Sequence, residues 1–321
     1  MAVEYHLPAR VVTNADFARE FPEWSAEKIA EKTGIEQRHL AAAHELSSDL
    51  AVAAAEKLFA RGVVKRAEID FVLFCTQTPD FALPTTACLL QHRLRFPVTA
   101  GALDFNLGCS GYIYGLSLAK GLIETGQARR VLFLTAETYS KLVAPQDKSV
   151  RTIFGDGAAA TLVVADDSAE EAVGPFVFGT DGAGGPNLVC HQGGWRGEAA
   201  EAAGRPALWM NGPEIFNFTL KVVPDVVSRL LARAGMRQED VDLFVFHQAN
   251  RYMLDHLRKK LGVPADKFVV AMAHCGNTVS STIPIALREA EKAGQLKPGA
   301  RVMLVGFGVG YSWGATLITW R

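Results

Sequence analysis

Short runs that are apolar at successive positions, rather than at every second one, mark the strands of this chain. Phe71 to Phe74, Val131 to Leu134 and Leu243 to Phe246 have this character, which is the pattern of strands covered on both faces. Between them, apolar residues recur at helical spacing. Ser48 to Gly62 opens on a Ser/Asp start signal and stops at a glycine, and Tyr112 to Glu124 follows a strand expected over Ala102 to Asn106. Alternation of this kind predicts right-handed βαβ units in mixed, largely parallel sheets, an α/β protein with function at the strand C-termini.

The pattern occurs twice. "LFARGVVKRAEIDFVLFCTQ" from Leu58 aligns without a gap to "LLARAGMRQEDVDLFVFHQA" from Leu230, an offset of 172 residues (230 − 58). "ARRVLFL" from Ala128 and "GARVMLV" from Gly299 align Val131 with Val302 at nearly the same offset, 171 (302 − 131). The expectation is a duplicated half, with residues 1–168 and 169–321 as the two units. The Gly- and Ala-rich stretch from Gly179 to Gly204 reads as an excursion at the surface or over a site between them.

Composition narrows the function classes. The chain has 321 residues, 49% of them hydrophobic, which is ample for a core. With 33 basic and 34 acidic side chains the net charge is -1, so no global field draws it to nucleic acid or an anionic membrane. No apolar run approaches the roughly 18 residues of a spanning helix, and "MAVEYHLPAR" has no signal-peptide core. The reading is a cytoplasmic protein with no membrane partner. Five scattered cysteines are expected as reduced thiols, and the eight histidines show no metal-ligand spacing.

Three residues are candidates for chemistry. Cys109, in "DFNLGCSGYIYGL", stands where a strand gives way to a helix. Helix N–H groups and the dipole would stabilise a thiolate there and lower its pKa, although a buried Cys is also an ordinary small apolar residue. His247 follows a buried strand in "LFVFHQAN", as a catalytic group or as a cap of the next helix. Asn277 lies in "CGNTVSS", as a polar partner or as a cap or left-handed turn residue. Together they form a nucleophile with a polar pair.

That set, with "KTGIEQRH" from Lys32, "FGDGAAA" from Phe154 and the closing "GFGVGYSWGATL" from Gly306, resembles the β-ketoacyl-acyl carrier protein synthase III family of thiolase-like condensing enzymes. The resemblance implies an α/β five-layered αβαβα fold built from two duplicated halves. It implies that Cys109 takes an acyl group from coenzyme A. His247 and Asn277 then bind malonyl on acyl carrier protein, and the enolate left by decarboxylation attacks the acyl-cysteine. Backbone at Cys109 and at Gly308, Val309 and Gly310 would form the oxyanion hole, with Phe307 near the nucleophile. No tightly bound cofactor is implied, only a coenzyme A thioester as substrate. Lys32 and Lys148 stand where relatives place arginines on the nucleotide. Leu83 stands where a neighbouring subunit's Phe often closes the acyl pocket, which implies a homodimer and room for primers longer than acetyl. Arg251, Arg258, Lys259 and Lys221 would receive the carrier, although Tyr252 and Asn217 replace usual basic residues. The opening "MAVEYHLP" reads as a shorter first strand than the family's, with an imperfectly paired edge. Two other readings stay open: acyl transfer to a different acceptor, and a non-catalytic partner subunit.

Overall fold

The computed structural model describes residues 1–166, 170–191, 194 and 208–321. Its strands are β1 (Ala2–His6), β2 (Arg10–Thr13), β3 (Gln37–Leu40), β4 (Phe71–Cys75), β5 (Gly101–Phe105), β6 (Arg130–Glu137), β7 (Gly157–Val164), β8 (Val173–Thr180), β9 (Leu188–Cys190), β10 (Leu208–Met210), β11 (Leu243–Phe246), β12 (Arg301–Gly308) and β13 (Ser312–Thr319). Its α-helices are α1 (Asn14–Glu20), α2 (Ala26–Thr33), α3 (Ser47–Ala60), α4 (Thr86–Arg93), α5 (Gly111–Glu124), α6 (Lys148–Arg151), α7 (Gly212–Ala234), α8 (Arg251–Leu261) and α9 (Thr282–Lys292).

Two sheets carry the fold, with strand orders β1-β7-β6-β4-β5 and β8-β13-β12-β11. They repeat one plan. In the first, β6 lies parallel to β4 and antiparallel to β7. In the second, β12 lies parallel to β11 and antiparallel to β13. A parallel bridge from Phe244 to Phe268 continues the second sheet where β5 continues the first. The sequence repeat has a structural cause in Asp70 and Asp242. Asp70 accepts from the Arg129 and Arg130 N–H groups, and Asp242 accepts from Arg301 N–H at 2.8 Å, each tying the start of one parallel strand to its neighbour.

Alternation along each strand explains the continuous apolar runs. Leu73 and Cys75 face inward, whereas Val72 and Phe74 face outward onto Leu50, Ala54 and Leu58 of α3. In the second sheet Val302 and Leu304 face inward, and Met303 and Val305 meet Val223, Leu230 and Leu254 of α7 and α8. Between the sheets lie α5 and α9, so five layers stack as helix, sheet, helix, sheet, helix. Each fully buried Val, Leu or Phe contributes about 1.5–3 kcal/mol relative to exposure.

The first edge is better paired than the sequence suggests. Every residue of β1 from Ala2 to His6 has a partner in β7, because β7 supplies a complete antiparallel ladder. The junction expected between 168 and 169 lies outside the described residues, as do 192–193 and 195–204 of the glycine-rich excursion. The described part of that excursion turns inward: Leu188 and Cys190 join the apolar cluster around Cys109.

Candidate active site

Cys109 sits in the turn between β5 and α5, one residue before the helix cap Ser110. Gly111 N–H donates to Gly108 O at 2.8 Å and closes that turn. The end of β12 crosses directly over it. A Cβ on Gly308 would lie 2.9 Å from Cys109 Sγ, and one on Gly306 would lie 2.8 Å from Ser110 Cα, so only glycine permits this approach. The sequence therefore brings a strand end from the second half onto the nucleophile turn of the first.

Burial and electrostatics reverse the expectation for the thiol. Burial, and next the Glu137 carboxyl, push Cys109 up to about 12, while the N–H groups of Cys109 and Val309 stabilise the charged form in part. The helix N-terminus does not prevail because the sulfur is desolvated on all sides. At neutral pH the resting side chain is a thiol. The Val309 N–H belongs to the Gly308 to Gly310 segment, and it faces the sulfur.

His247 follows β11, where its N–H donates to Val305 O at 2.8 Å. It does not cap the next helix. That work falls to Asn250, whose side chain accepts from Met253 N–H at 2.8 Å and keeps the imidazole out of the cap. Burial lowers the His247 pKa to about 3, so the ring is neutral. Phe307 meets it edge-on, with ring centres 5.5 Å apart, and is itself only 2% exposed. Phe307 thus packs the imidazole in place rather than offering a surface to a substrate.

Asn277 is held from both sides. Its N–H donates to Ile153 O, and its Oδ1 accepts from Val279 N–H, each at 2.9 Å. The left-handed residues of this turn are Gly276 and Val279, so Asn277 is not there for its backbone conformation. Its Nδ2 reaches toward Ala249 O at 3.5 Å, two residues beyond His247. A donor of this kind remains available to a carbonyl.

Other expected residues fall elsewhere. Lys32 and Lys148 flank Trp24, with Nζ atoms 5.6 and 5.9 Å from its ring centre, and Lys148 also pairs with Glu23. Trp24 escaped the sequence reading, and its signal was a lone Trp in a polar stretch. Leu83 is 82% exposed on a surface loop with Phe81. Arg251 packs over Gly34, Lys221 and Lys259 are exposed, and Arg258 bends back to donate to Val263 O at 3.1 Å. That bond uses one guanidinium nitrogen and leaves the other donors of Arg258 available.

Glu137 and Ser280 also went unread. Glu137 ends β6 with no exposure, accepting from Ser280 Oγ at 2.8 Å and from Gln77 N–H at 3.0 Å. None of the five cysteines forms a disulfide.

Residues 103–182 match the family described as 3-oxoacyl-(acyl-carrier-protein) synthase III, and residues 231–320 match its C-terminal counterpart. A beta-ketoacyl-(acyl-carrier-protein) synthase III of Streptomyces coelicolor is 41% identical over 319 residues, 98% of this chain and 94% of that protein. One from Caldanaerobacter subterraneus subsp. tengcongensis is 36% identical over 98% of this chain and 95% of its own length. A crystal structure of a 3-oxoacyl-(acyl-carrier-protein) synthase III superposes with a TM-score of 0.96 at 56% identity, covering 99% of this chain and 98% of that one.

Proposed function

The chain belongs to the 3-oxoacyl-(acyl-carrier-protein) synthase III family, and we propose that Cys109, His247 and Asn277 carry out its reaction. It is an acyltransferase of fatty acid biosynthesis with the thiolase-like fold. It joins an acyl-coenzyme A primer to malonyl-acyl carrier protein through an acyl-cysteine. The observation that carries the assignment of residues is the close approach of Gly308 and Val309 to Cys109 Sγ, from the strand whose Phe307 packs on the buried His247.

In the first half-reaction, Sγ bonds to the primer's carbonyl carbon, the carbon–sulfur bond to coenzyme A breaks, and the thiol proton ends on coenzyme A. The oxyanion lies against the N–H groups of Cys109 and the Gly308 to Gly310 segment. Loss of one such donor typically costs 10²–10³ in rate. In the second, the bond to the malonyl carboxyl breaks and carbon dioxide leaves. His247 Nε2 and Asn277 Nδ2 donate to the thioester oxygen while its enolate persists. The enolate carbon bonds to the acyl carbon, the bond to Sγ breaks, and a proton restores the thiol. No base is needed at carbon, because decarboxylation supplies the electron pair.

The aromatic face of Trp24 between Lys32 and Lys148 suits the nucleotide of coenzyme A. Arg251, Arg258, Lys259 and Lys221 are the basic groups for an acidic carrier. The chain acts as a homodimer: β5 ends its sheet with an open edge, and Leu103 upon it, Phe81 and Leu83 are exposed apolar side chains beside that edge. Residues 1–168 and 169–321 are its two halves. Among the described residues no helix is long and apolar enough to cross a membrane, in keeping with a cytoplasmic enzyme.

The test is incubation with a panel of acyl-coenzyme A thioesters, then with malonyl-carrier, following acyl-Cys109 by mass spectrometry and carbon dioxide release together. Release that needs both substrates and disappears in Cys109→Ala establishes the assignment. Acylation without decarboxylation would redirect it to transfer onto another acceptor.

A further inference from the structure

Thr282 is the first residue of α9, and its hydroxyl lies 2.7 Å from His247 Nδ1 and 2.9 Å from Val279 O. Both side chains are 2% exposed, so no water competes for these contacts. The hydroxyl has a single proton and two acceptors in reach. If it donates to Val279 O, then Nδ1 must carry the ring proton and Nε2 presents a lone pair. If it donates to Nδ1, then Nε2 carries the proton and becomes a donor. Because His247 is neutral, these two arrangements exclude one another.

The second arrangement leaves neither Val279 O nor Nδ1 without a partner, and it alone gives Nε2 the proton that donation to a thioester oxygen requires. Val279 O already accepts from the Thr282 backbone N–H, so it is satisfied without the hydroxyl. Nδ1 has no donor other than Thr282 Oγ1, and Nε2 has no hydrogen-bond partner among the described residues. Among the described residues Thr282 Oγ1 is the one partner of Nδ1, so the direction of this single bond and the tautomer of the ring are set together.

We propose that Thr282 is a positioning residue that donates to His247 Nδ1 and so fixes the Nε2–H tautomer, the form able to donate to a thioester oxygen. This rests on the reading of His247 as the donor to the enolate. The same short segment aligns the second donor, since Val279 N–H holds Asn277 Oδ1 and turns Nδ2 outward. It is anchored below by Ser280, which donates to Glu137. One six-residue strap, 277–282, therefore sets both donors.

The tautomer can be read without activity. Protein labelled with ¹⁵N at histidine is recorded in long-range ¹H–¹⁵N spectra, and His247 is assigned by the signals missing in His247→Gln. The expected pattern is a protonated Nε2 and a bare Nδ1 in the wild type. Protonation at Nδ1 would overturn the proposal, whereas the need for His247 itself is read separately, from condensation by His247→Gln. In Thr282→Val the expected result is a mixed or reversed tautomer, with condensation at least ~10-fold slower relative to Cys109 acylation, a factor worth about 1.4 kcal/mol. Thr282→Ser, which keeps the hydroxyl, restores both signals. A Thr282→Val protein that condenses at the wild-type rate also overturns it. Wild-type condensation by His247→Gln would instead refute the reading of His247 itself.

Discussion

Glu137 offers the sharpest test of the energetics, through the substitution Glu137→Gln. Its carboxyl is wholly buried, and burial raises its pKa from 4.5 to about 8 despite the hydrogen bonds from Ser280, Gln77 and Thr78. Between those two values the folded chain keeps a proton that the unfolded chain has lost, so stability falls as pH rises through that window. The slope approaches about 1.4 kcal/mol per pH unit, and the whole window amounts to about 5 kcal/mol. Glutamine keeps the shape without titrating. Its Oε1 can accept from Gln77 N–H, and its amide can donate to Ser280 Oγ, so the network survives. Urea unfolding of both proteins at pH 5 and pH 8, with m-values compared to confirm equal exposure, isolates the carboxyl from every other group. The wild type is expected to lose about 4 kcal/mol relative to Glu137→Gln across that range. A flat difference, or one of opposite sign, would mean that Glu137 is ionised throughout and that burial is not the governing influence.

The other predictions concern the site. Because the Cys109 thiol is held near 12, its alkylation by iodoacetamide in the free enzyme should rise about tenfold per pH unit from 7 to 10 without levelling. A plateau below pH 8 would show that a thiolate is already present. Gly308→Ala places a methyl against Cys109 Cβ and Sγ, and acylation measured by mass spectrometry should fall at least ~10-fold while the circular dichroism spectrum is retained. Unchanged acylation would show that the two segments part freely. Leu83→Phe should narrow primer choice, slowing eight-carbon primers by at least ~10-fold relative to acetyl. Equal slowing of all primers, or none, would remove Leu83 from the acyl pocket.

Sequence made the strand-and-helix framework legible because its signals are local. The apolar runs at Phe71 to Phe74 and Leu243 to Phe246 each set the conformation of their own backbone, and the structure keeps both as strands. Cys109, His247 and Asn277 stand out as candidates for the same reason, since each lies at a junction between elements. What escaped depends on distant partners. Glu137 looks like a solvated strand end until Ser280, 143 residues away, covers it. Thr282 looks like the start of a helix until His247 meets it. The thiol was misjudged because a helix N-terminus can be read from spacing, whereas burial from every side cannot.

The central layer has a consequence for ancestry. Helix α5 of the first half packs against β8, β12 and β13 of the second, and α9 of the second packs against β1 and β7 of the first. Neither half closes its own interior, so each would expose an apolar face if made alone. A half-length chain would have to meet a second copy to cover that face, and holding both halves in one chain makes that concentration-dependent encounter intramolecular. Once the copies were joined, they were free to diverge. The position that became His247 in one copy is Cys75 in the other, and a symmetric pair became a division of labour.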